Sequence, residues 1–123
     1  MILLFRALYA LLLYDVLNTF SRFETVYLTV KRWSVTSGPA DQGAIHRVCT
    51  GVNYACALYP KQALCLQRSF VTTYLLRKHG IHALMVMGAQ VLPFKAHAWV
   101  EVDGLAINER SDVQATYGVW DRC

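Results

Sequence analysis

The chain has 123 residues, of which 55% are hydrophobic and 16% charged, and its 12 Lys and Arg against 8 Asp and Glu give a net charge of +4 at pH 7. This length suits one domain with a core of its own, and the composition excludes a disordered tail and a collagen-like or low-complexity chain. The basic residues occur as isolated pairs, Lys31-Arg32 and Arg77-Lys78, so we expect no nucleic-acid partner and interpret each pair as a solvated helix end.

The first twenty residues, MILLFRALYALLLYDVLNTF, look at first like a signal peptide or a membrane span. Arg6 and Asp15 divide this apolar run into pieces far shorter than the roughly 20 residues that cross a bilayer, and no basic leading region or small-residue cleavage site is present. We predict a helix that packs on its own domain or faces a partner. The mean hydropathy of +0.30 favours some partner-facing apolar surface, and peripheral contact with a membrane is left open.

The pattern divides the chain into an apolar helical segment over 1–33, a linker over 34–44 that opens with SVTSGP, and a core over 45–123. Apolar residues recur at helical spacing from Ile45 to Tyr59, and Pro60 helps to end that helix. Another helix begins near Cys65, and Gly80 supplies its left-handed stop.

The remaining pattern is that of an antiparallel sheet. The apolar run Ile81–Met87 predicts a strand, Gly88–Lys95 a loop, and AHAWVEVDGLAINER two strands joined at Asp103-Gly104. A two-residue loop would place Ala98 opposite Glu109, whereas a three-residue loop would place His97 opposite Glu109; the sequence leaves both registers open. Helices followed by a small sheet predict an α+β domain.

The four cysteines do not form a disulfide framework or a metal site. Cys49 and Cys56 are seven residues apart on a predicted helix, about 10 Å along its axis and beyond disulfide reach, which predicts core thiols. His79 and His82 form a lone HxxH, which we interpret as structural. We expect no metal, no cofactor and a reducing cytoplasm.

Cys65 differs from the other cysteines because it lies where a helix starts. Unpaired N–H groups and the helix dipole favour a thiolate there, and Arg68 would add to this if it leaned toward the sulfur. His97 opens a strand, as an imidazole held by rigid structure would. Together they predict nucleophilic acyl transfer, with Cys65 as nucleophile and His97 as base and then acid.

An acid is needed to orient His97. Asp103 is excluded because about 20 Å of extended chain separates it from the imidazole. Glu109 faces His97 in the three-residue register, and Asp112 is the alternative. For the oxyanion we expect the backbone N–H of Cys65, with Gln62 or Asn108 as a second donor.

Neighbours of these residues have simpler interpretations. Trp99 and Glu101 share the face of His97 if the strand alternates regularly. We interpret Trp99 as core, Glu101 as an ion-pair or rim residue, and Ser69 as helix packing.

About the last half of the chain resembles a known family. The segments that carry the resemblance are CLQRS from Cys65, LLRKHGI from Leu75, VMG from Val86 and PFKAHAWVE from Pro93. They resemble the transglutaminase-like cysteine peptidases of lasso-peptide biosynthesis, which implies a transglutaminase/papain-like core. The resemblance implies that Cys65 matches the nucleophile and His97 the base. Glu109 stands where such proteins usually carry an aspartate.

The resemblance also implies a function and partners. Such enzymes remove the leader from a ribosomally made precursor, commonly after a leader whose penultimate residue is threonine, and a separate ATP-dependent macrolactam cyclase then closes the freed amine into a ring. Short members work with a small leader-binding protein, which would explain surplus apolar surface. Two alternatives stay open: an acyl-transferring amidase or transglutaminase-like enzyme, and a non-catalytic adaptor with a buried Cys65.

Overall fold

The computed structural model describes residues 2–20, 29–32, 41–59, 65–91, 94–107 and 113–123. In these residues, the helices α1 (Ile2–Phe20), α2 (Gln42–Leu58) and α3 (Cys65–Lys78) precede an antiparallel sheet. Its strands are β1 (Ala83–Val91), β2 (Phe94–Val102), β3 (Leu105–Ile107) and β4 (Gly118–Arg122), and the short helix α4 (Val113–Thr116) precedes β4. The strand order is β3-β2-β1-β4. The fold is α+β, which confirms the class predicted from the sequence.

Helix α1 is apolar on two sides, of which only one is covered. Ala7, Ala10, Leu11 and Tyr14 are buried in a core shared with α2, α3 and the sheet. The Gln67 side-chain amide of α3 donates to the Leu11 carbonyl oxygen at 3.0 Å and fixes the two helices together. The helix therefore packs on its own domain. Among the described residues, no helix is long and apolar enough to span a bilayer.

Helix α2 begins at Gln42, inside the range interpreted as linker, because Asp41 caps it. The Asp41 carboxylate accepts from the backbone N–H groups of Gly43 at 3.0 Å and Ala44 at 3.3 Å, which satisfies two donors of the first turn. The rest of the predicted linker, up to residue 40, lies outside the described residues. At the other end Tyr59 is extended, with φ −66° and ψ 140°, as expected for a residue that precedes proline.

Helix α3 ends at Lys78, and Gly80 supplies its left-handed stop as predicted. Gly80 has φ +76°, its N–H donates to the Arg77 carbonyl at 3.1 Å, and the Ile81 N–H donates to the Leu76 carbonyl at 3.0 Å. This pair of bonds is the Schellman motif.

Arg77 is buried, so the interpretation of this basic pair as a solvated helix end is wrong for Arg77. Its guanidinium donates to three carbonyl oxygens, those of Ala83 at 3.0 Å, Val30 at 2.8 Å and Cys123 at 2.8 Å. The three carbonyls belong to the start of β1, to a helical turn and to the last residue, respectively. The buried guanidinium of Arg77 therefore ties three separate segments to α3. Lys78, the other residue of this basic pair, is exposed, as predicted.

The predicted loop at Gly88–Lys95 is wrong, because most of it is strand. Strand β1 runs to Val91 and β2 starts at Phe94, with Gly88 paired to His97 and Gln90 to Lys95. Gly88 suits the interior of this sheet because a Cβ there would lie 2.8 Å from Trp99 Cη2 and 2.9 Å from the Gly118 carbonyl oxygen. The missing side chain leaves room for the indole ring of Trp99.

The turn between β2 and β3 has two residues. Val102 pairs with Leu105, and Asp103 and Gly104 both have positive φ, 54° and 77°, as a type I′ turn requires. The three-residue register, on which the pairing of His97 with Glu109 depended, is therefore wrong. The described ladder ends at Ile107, before the candidate acids.

Candidate active site

Cys65 is the first residue of α3, where the leading backbone N–H groups of a helix have no intrahelical partner. Its side chain is half-buried. The Gln67 side chain, in the first turn of the same helix, donates a hydrogen bond to α1 and holds this end of α3 in place.

His97 lies in the middle of β2, opposite Gly88 of β1. Its ring is packed between two aromatic neighbours: the centroid of Trp99 is 5.9 Å away in a stacked arrangement, and that of Tyr117 is 5.1 Å away and tilted. The imidazole is thus held by its strand and by ring contacts with Trp99 of the same strand and with Tyr117, which lies between α4 and β4.

Cys65 and His97 line the same cavity, of about 110 Å³. The structure therefore brings together the two residues that the sequence singled out, although 31 positions separate them in the chain. The remaining lining residues are almost wholly apolar: Leu66, Met87, Gly88, Ala96, Ala98 and Trp120.

Trp99 is held in the core by the carboxylate of Glu101. Glu101 is only 4% exposed and accepts from Trp99 Nε1 at 3.0 Å, Gln114 Nε2 at 2.8 Å and Arg122 Nε at 3.0 Å. Burial by itself raises the pKa of Glu101, but these donors and the charge of Arg122 outweigh it, so the pKa lies below its usual value. Glu101 is an ionised anchor for Trp99, which in turn contacts His97.

Arg68 points toward α2. Its Nη2 donates to Asn53 Oδ1 at 2.8 Å. Burial raises the pKa of Cys49 and of Cys56, and the positive charge of Arg68 opposes that rise. These two thiols are half-buried against the core, as predicted, and all four cysteines are free.

Several predicted site residues lie outside the described part of the chain. These are both candidate acids, Glu109 and Asp112, and both candidate oxyanion donors, Gln62 and Asn108. Asp103 lies in the exposed turn. In the described ranges no group of three or more His, Cys, Asp or Glu side chains could hold a metal, and His79 Nδ1 is 2.9 Å from the Leu75 carbonyl oxygen.

Sequence reasoning missed three aromatic residues around this site. Tyr117 contacts His97, and Trp120 lines the cavity. Tyr14 of α1 packs edge-on against Phe70 at 5.4 Å; burial raises the pKa of Tyr14, and the charges of Asp15 and Cys65 add to the rise. A short β-rich run at Gly118-Val119-Trp120 was the available signal for β4, but no local pattern indicated which way Trp120 would face.

The class of protein is indicated by a cysteine that starts a helix and a histidine that lies in the adjoining antiparallel sheet. The chain belongs to the transglutaminase-like superfamily, whose family model matches residues 10–120. A stretch of 50 residues, 41% of this chain, is 36% identical to the microcin J25-processing protein McjB of Escherichia coli and covers 24% of the length of that protein. No solved structure matches the chain.

Proposed function

We propose that this chain is a cysteine peptidase that removes the leader from a lasso-peptide precursor. The observation that carries the proposal is the common cavity of Cys65 and His97. Membership of the transglutaminase-like superfamily and the likeness to a microcin-processing protein support it. The free thiols suit a reducing cytoplasm as its location.

The proposed reaction starts with attack of the Cys65 sulfur on the carbonyl carbon at the end of the leader. His97 accepts the thiol proton of Cys65 as the sulfur attacks, the backbone N–H of Cys65 donates to the oxyanion, and His97 passes its proton to the leaving amine as the carbon–nitrogen bond breaks. His97 then takes a proton from water, which attacks the thioester, and returns that proton to the Cys65 sulfur as the carbon–sulfur bond breaks and the leader leaves with a free carboxylate. Glu109 orients His97, with Asp112 as the alternative, and Gln62 or Asn108 is the second oxyanion donor.

Three partners follow from this proposal. The precursor is the substrate, a small leader-binding protein presents it, and an ATP-dependent macrolactam cyclase uses the freed amine. The uncovered side of α1, where Ile2, Phe5, Tyr9, Leu12 and Val16 are exposed, is the surplus apolar surface that a partner protein would explain.

The first test is cleavage of the precursor encoded beside this chain, with and without the leader-binding protein. We expect Cys65→Ala to abolish cleavage and Cys49→Ala, a matched helical thiol, to retain it. Mass spectrometry should find two shorter peptides whose masses sum to that of the precursor plus one water. Full cleavage by Cys65→Ala would disprove the assignment of the nucleophile.

The same assay separates the two other functions. Since the family takes its name from enzymes that transfer acyl groups to amines, an added primary amine tests for transfer: an adduct would indicate an amidase or cross-linking enzyme. An adaptor would give neither product. Its Cys65 would also resist iodoacetamide below pH 7, whereas an activated thiol reacts quickly.

A further inference from the structure

Tyr117 lies against the imidazole ring of His97 from a different part of the chain. The two ring centroids are 5.1 Å apart and the ring planes are inclined by 31°. Tyr117 also meets Trp99, with the ring centroids 6.2 Å apart. Both distances are typical of offset aromatic pairs. The hydroxyl of Tyr117 makes no hydrogen bond within the described part of the chain, and the ring alone contacts His97.

The position of Tyr117 is fixed on both sides along the chain. Its backbone N–H donates to the Val113 carbonyl oxygen at 3.1 Å, which closes the turn of α4. The next residue, Gly118, begins β4 and pairs with Ala89 of β1. Tyr117 also packs against the small buried cluster that contains Val113 and Trp99. The tyrosine ring therefore offers a fixed surface to the imidazole.

His97 receives no comparable support from its cross-strand neighbour. Gly88 lies directly opposite His97 on β1 and has no side chain, although residues in such positions normally pack against each other. The space that a Cβ of Gly88 would need is taken by the ring of Trp99, 2.8 Å from that position. Trp99 belongs to the same strand as His97. Of the two ring contacts described, that of Tyr117 is therefore the one that ties the imidazole to another element.

The orientation of the imidazole matters because the proposed reaction passes a proton between His97 and Cys65. Such a transfer requires the two atoms to come within about 2.6–3.2 Å, and a displacement of about 1 Å can slow a reaction about 100-fold. We propose that Tyr117 is a positioning residue, whose ring holds the imidazole of His97 in the orientation that exchanges a proton with the Cys65 sulfur. Tyr117 itself takes no part in bond making. This inference rests on the proposed peptidase function.

The first measurement is precursor cleavage by three variants. Tyr117→Leu removes the ring and should lower kcat about tenfold or more, with KM changed less than about twofold, because the loss falls on proton transfer and not on substrate binding. Tyr117→Phe keeps the ring and should retain kcat within about twofold. Tyr54→Leu is the matched control and should behave as the wild type, since Tyr54 is 65% exposed on α2 and does not line the cavity of Cys65.

The second measurement shows whether Tyr117 acts through His97. It is a double-mutant cycle on the rate at which iodoacetamide alkylates Cys65 below pH 7, with the label assigned by peptide mass spectrometry. In this reaction the sulfur displaces iodide after its proton has passed to His97. Tyr117→Leu should slow alkylation about fivefold or more when His97 is present, but less than about twofold in the His97→Ala background. A residue that supports only the fold would have the same effect in both backgrounds.

The outcomes distinguish this inference from the function on which it rests. Urea unfolding verifies that each variant is folded, and Tyr117→Met, which also lacks a ring, replaces Tyr117→Leu if that variant does not fold. Wild-type rates without the ring, equal slowing in the two backgrounds, or a loss in Tyr117→Phe as large as in Tyr117→Leu would overturn the positioning role and leave the peptidase proposal intact. Absence of precursor cleavage, together with alkylation of Cys65 that does not depend on His97, would refute both.

Discussion

The carboxylate of Glu101 illustrates how one residue links stability to the site. It is buried, but three donors, one of which is the cationic Arg122, favour its ionised form. One of those donors is the indole N–H of Trp99, whose ring stacks on His97. A change at this carboxylate should therefore alter both the free energy of unfolding and the position of the imidazole.

Glu101→Gln should destabilise the protein at neutral pH by about 1–3 kcal/mol, since it weakens hydrogen bonds to a charged group. The pKa of Glu101 is lowered in the folded state, so its contribution is complete above the unfolded value. It is lost as the pH falls through the folded value. Urea unfolding between pH 7 and pH 3 should therefore give a flatter pH profile for the variant than for the wild type. Asp103→Asn, at the exposed turn, is the control; an unchanged profile in Glu101→Gln would contradict this account.

A second prediction at the scale of the residue concerns the acid that orients His97. Glu109→Gln should lower kcat for precursor cleavage by about 10⁴-fold, because a carboxylate that fixes the imidazole tautomer has an effect of this order in Ser-His-Asp triads. Asp112→Asn tests the alternative acid. Asp103→Asn should retain activity, because Asp103 lies in the turn at the far end of β2 from His97. A larger loss in Asp103→Asn than in Glu109→Gln would refute the assignment.

At the scale of the element, the start of α3 and the pairing of the strands position the site. The N-terminus of α3 holds Cys65, and the pairing of β2 with β1 holds His97 opposite Gly88. The bulge between β4 and β1 brings Trp120 to the cavity. Gly88 lies at the junction of these strands, under the ring of Trp99 and beside the backbone of β4.

Gly88→Ala should destabilise the protein by about 1–3 kcal/mol, the usual cost of an extra methyl group in a packed interior. The added Cβ would meet Trp99 and a backbone oxygen of Gly118 at distances that force a shift. Near-ultraviolet circular dichroism and urea unfolding would measure it. Gly118→Ala is the control, since its Cβ would be 3.7 Å from the nearest atom, an ordinary contact. Equal stability of both variants would contradict the tight approach of Trp99 to β1.

At the scale of the whole molecule, α1 belongs to the same packed body as the candidate site. Its buried side shares one core with α2, α3 and the sheet, and Tyr14 lies close enough to Cys65 for the thiolate charge to raise its pKa. The exposed side of the same helix remains apolar and contributes to the high mean hydropathy of the chain.

Two adjacent leucines of α1 lie on these two different sides of the helix. Leu11→Ala should cost about 2–5 kcal/mol because Leu11 is fully buried, whereas Leu12→Ala, which is 56% exposed, should change stability by about 0.5 kcal/mol or less. Chemical denaturation of the two variants would measure the difference. Comparable losses at both positions would mean that α1 does not pack as described.

Most of the elements could be predicted from local sequence. Asp41 could be recognised as a helix cap only once the start of α2 was known, but Gly80 and Asp103-Gly104 marked the end of α3 and the hairpin correctly. The strand at Gly88–Val91 was missed because glycine has low strand propensity, and only the ring of Trp99, eleven residues later, explains why a glycine is needed there. Arg77 was misjudged because its three carbonyl partners come from distant parts of the chain.

The sequence by itself determined the α+β class, the helix that begins at Cys65, and the choice of Cys65 and His97 as the candidate reactive pair. These depend on periodicity, capping and residue chemistry, which act over a few neighbouring positions. The tertiary structure decided that both residues line one cavity, that the turn at Asp103-Gly104 has two residues, and that Trp120 forms a wall of the site. Such features arise from pairing and packing between segments far apart in the chain, for which local sequence patterns carry no signal.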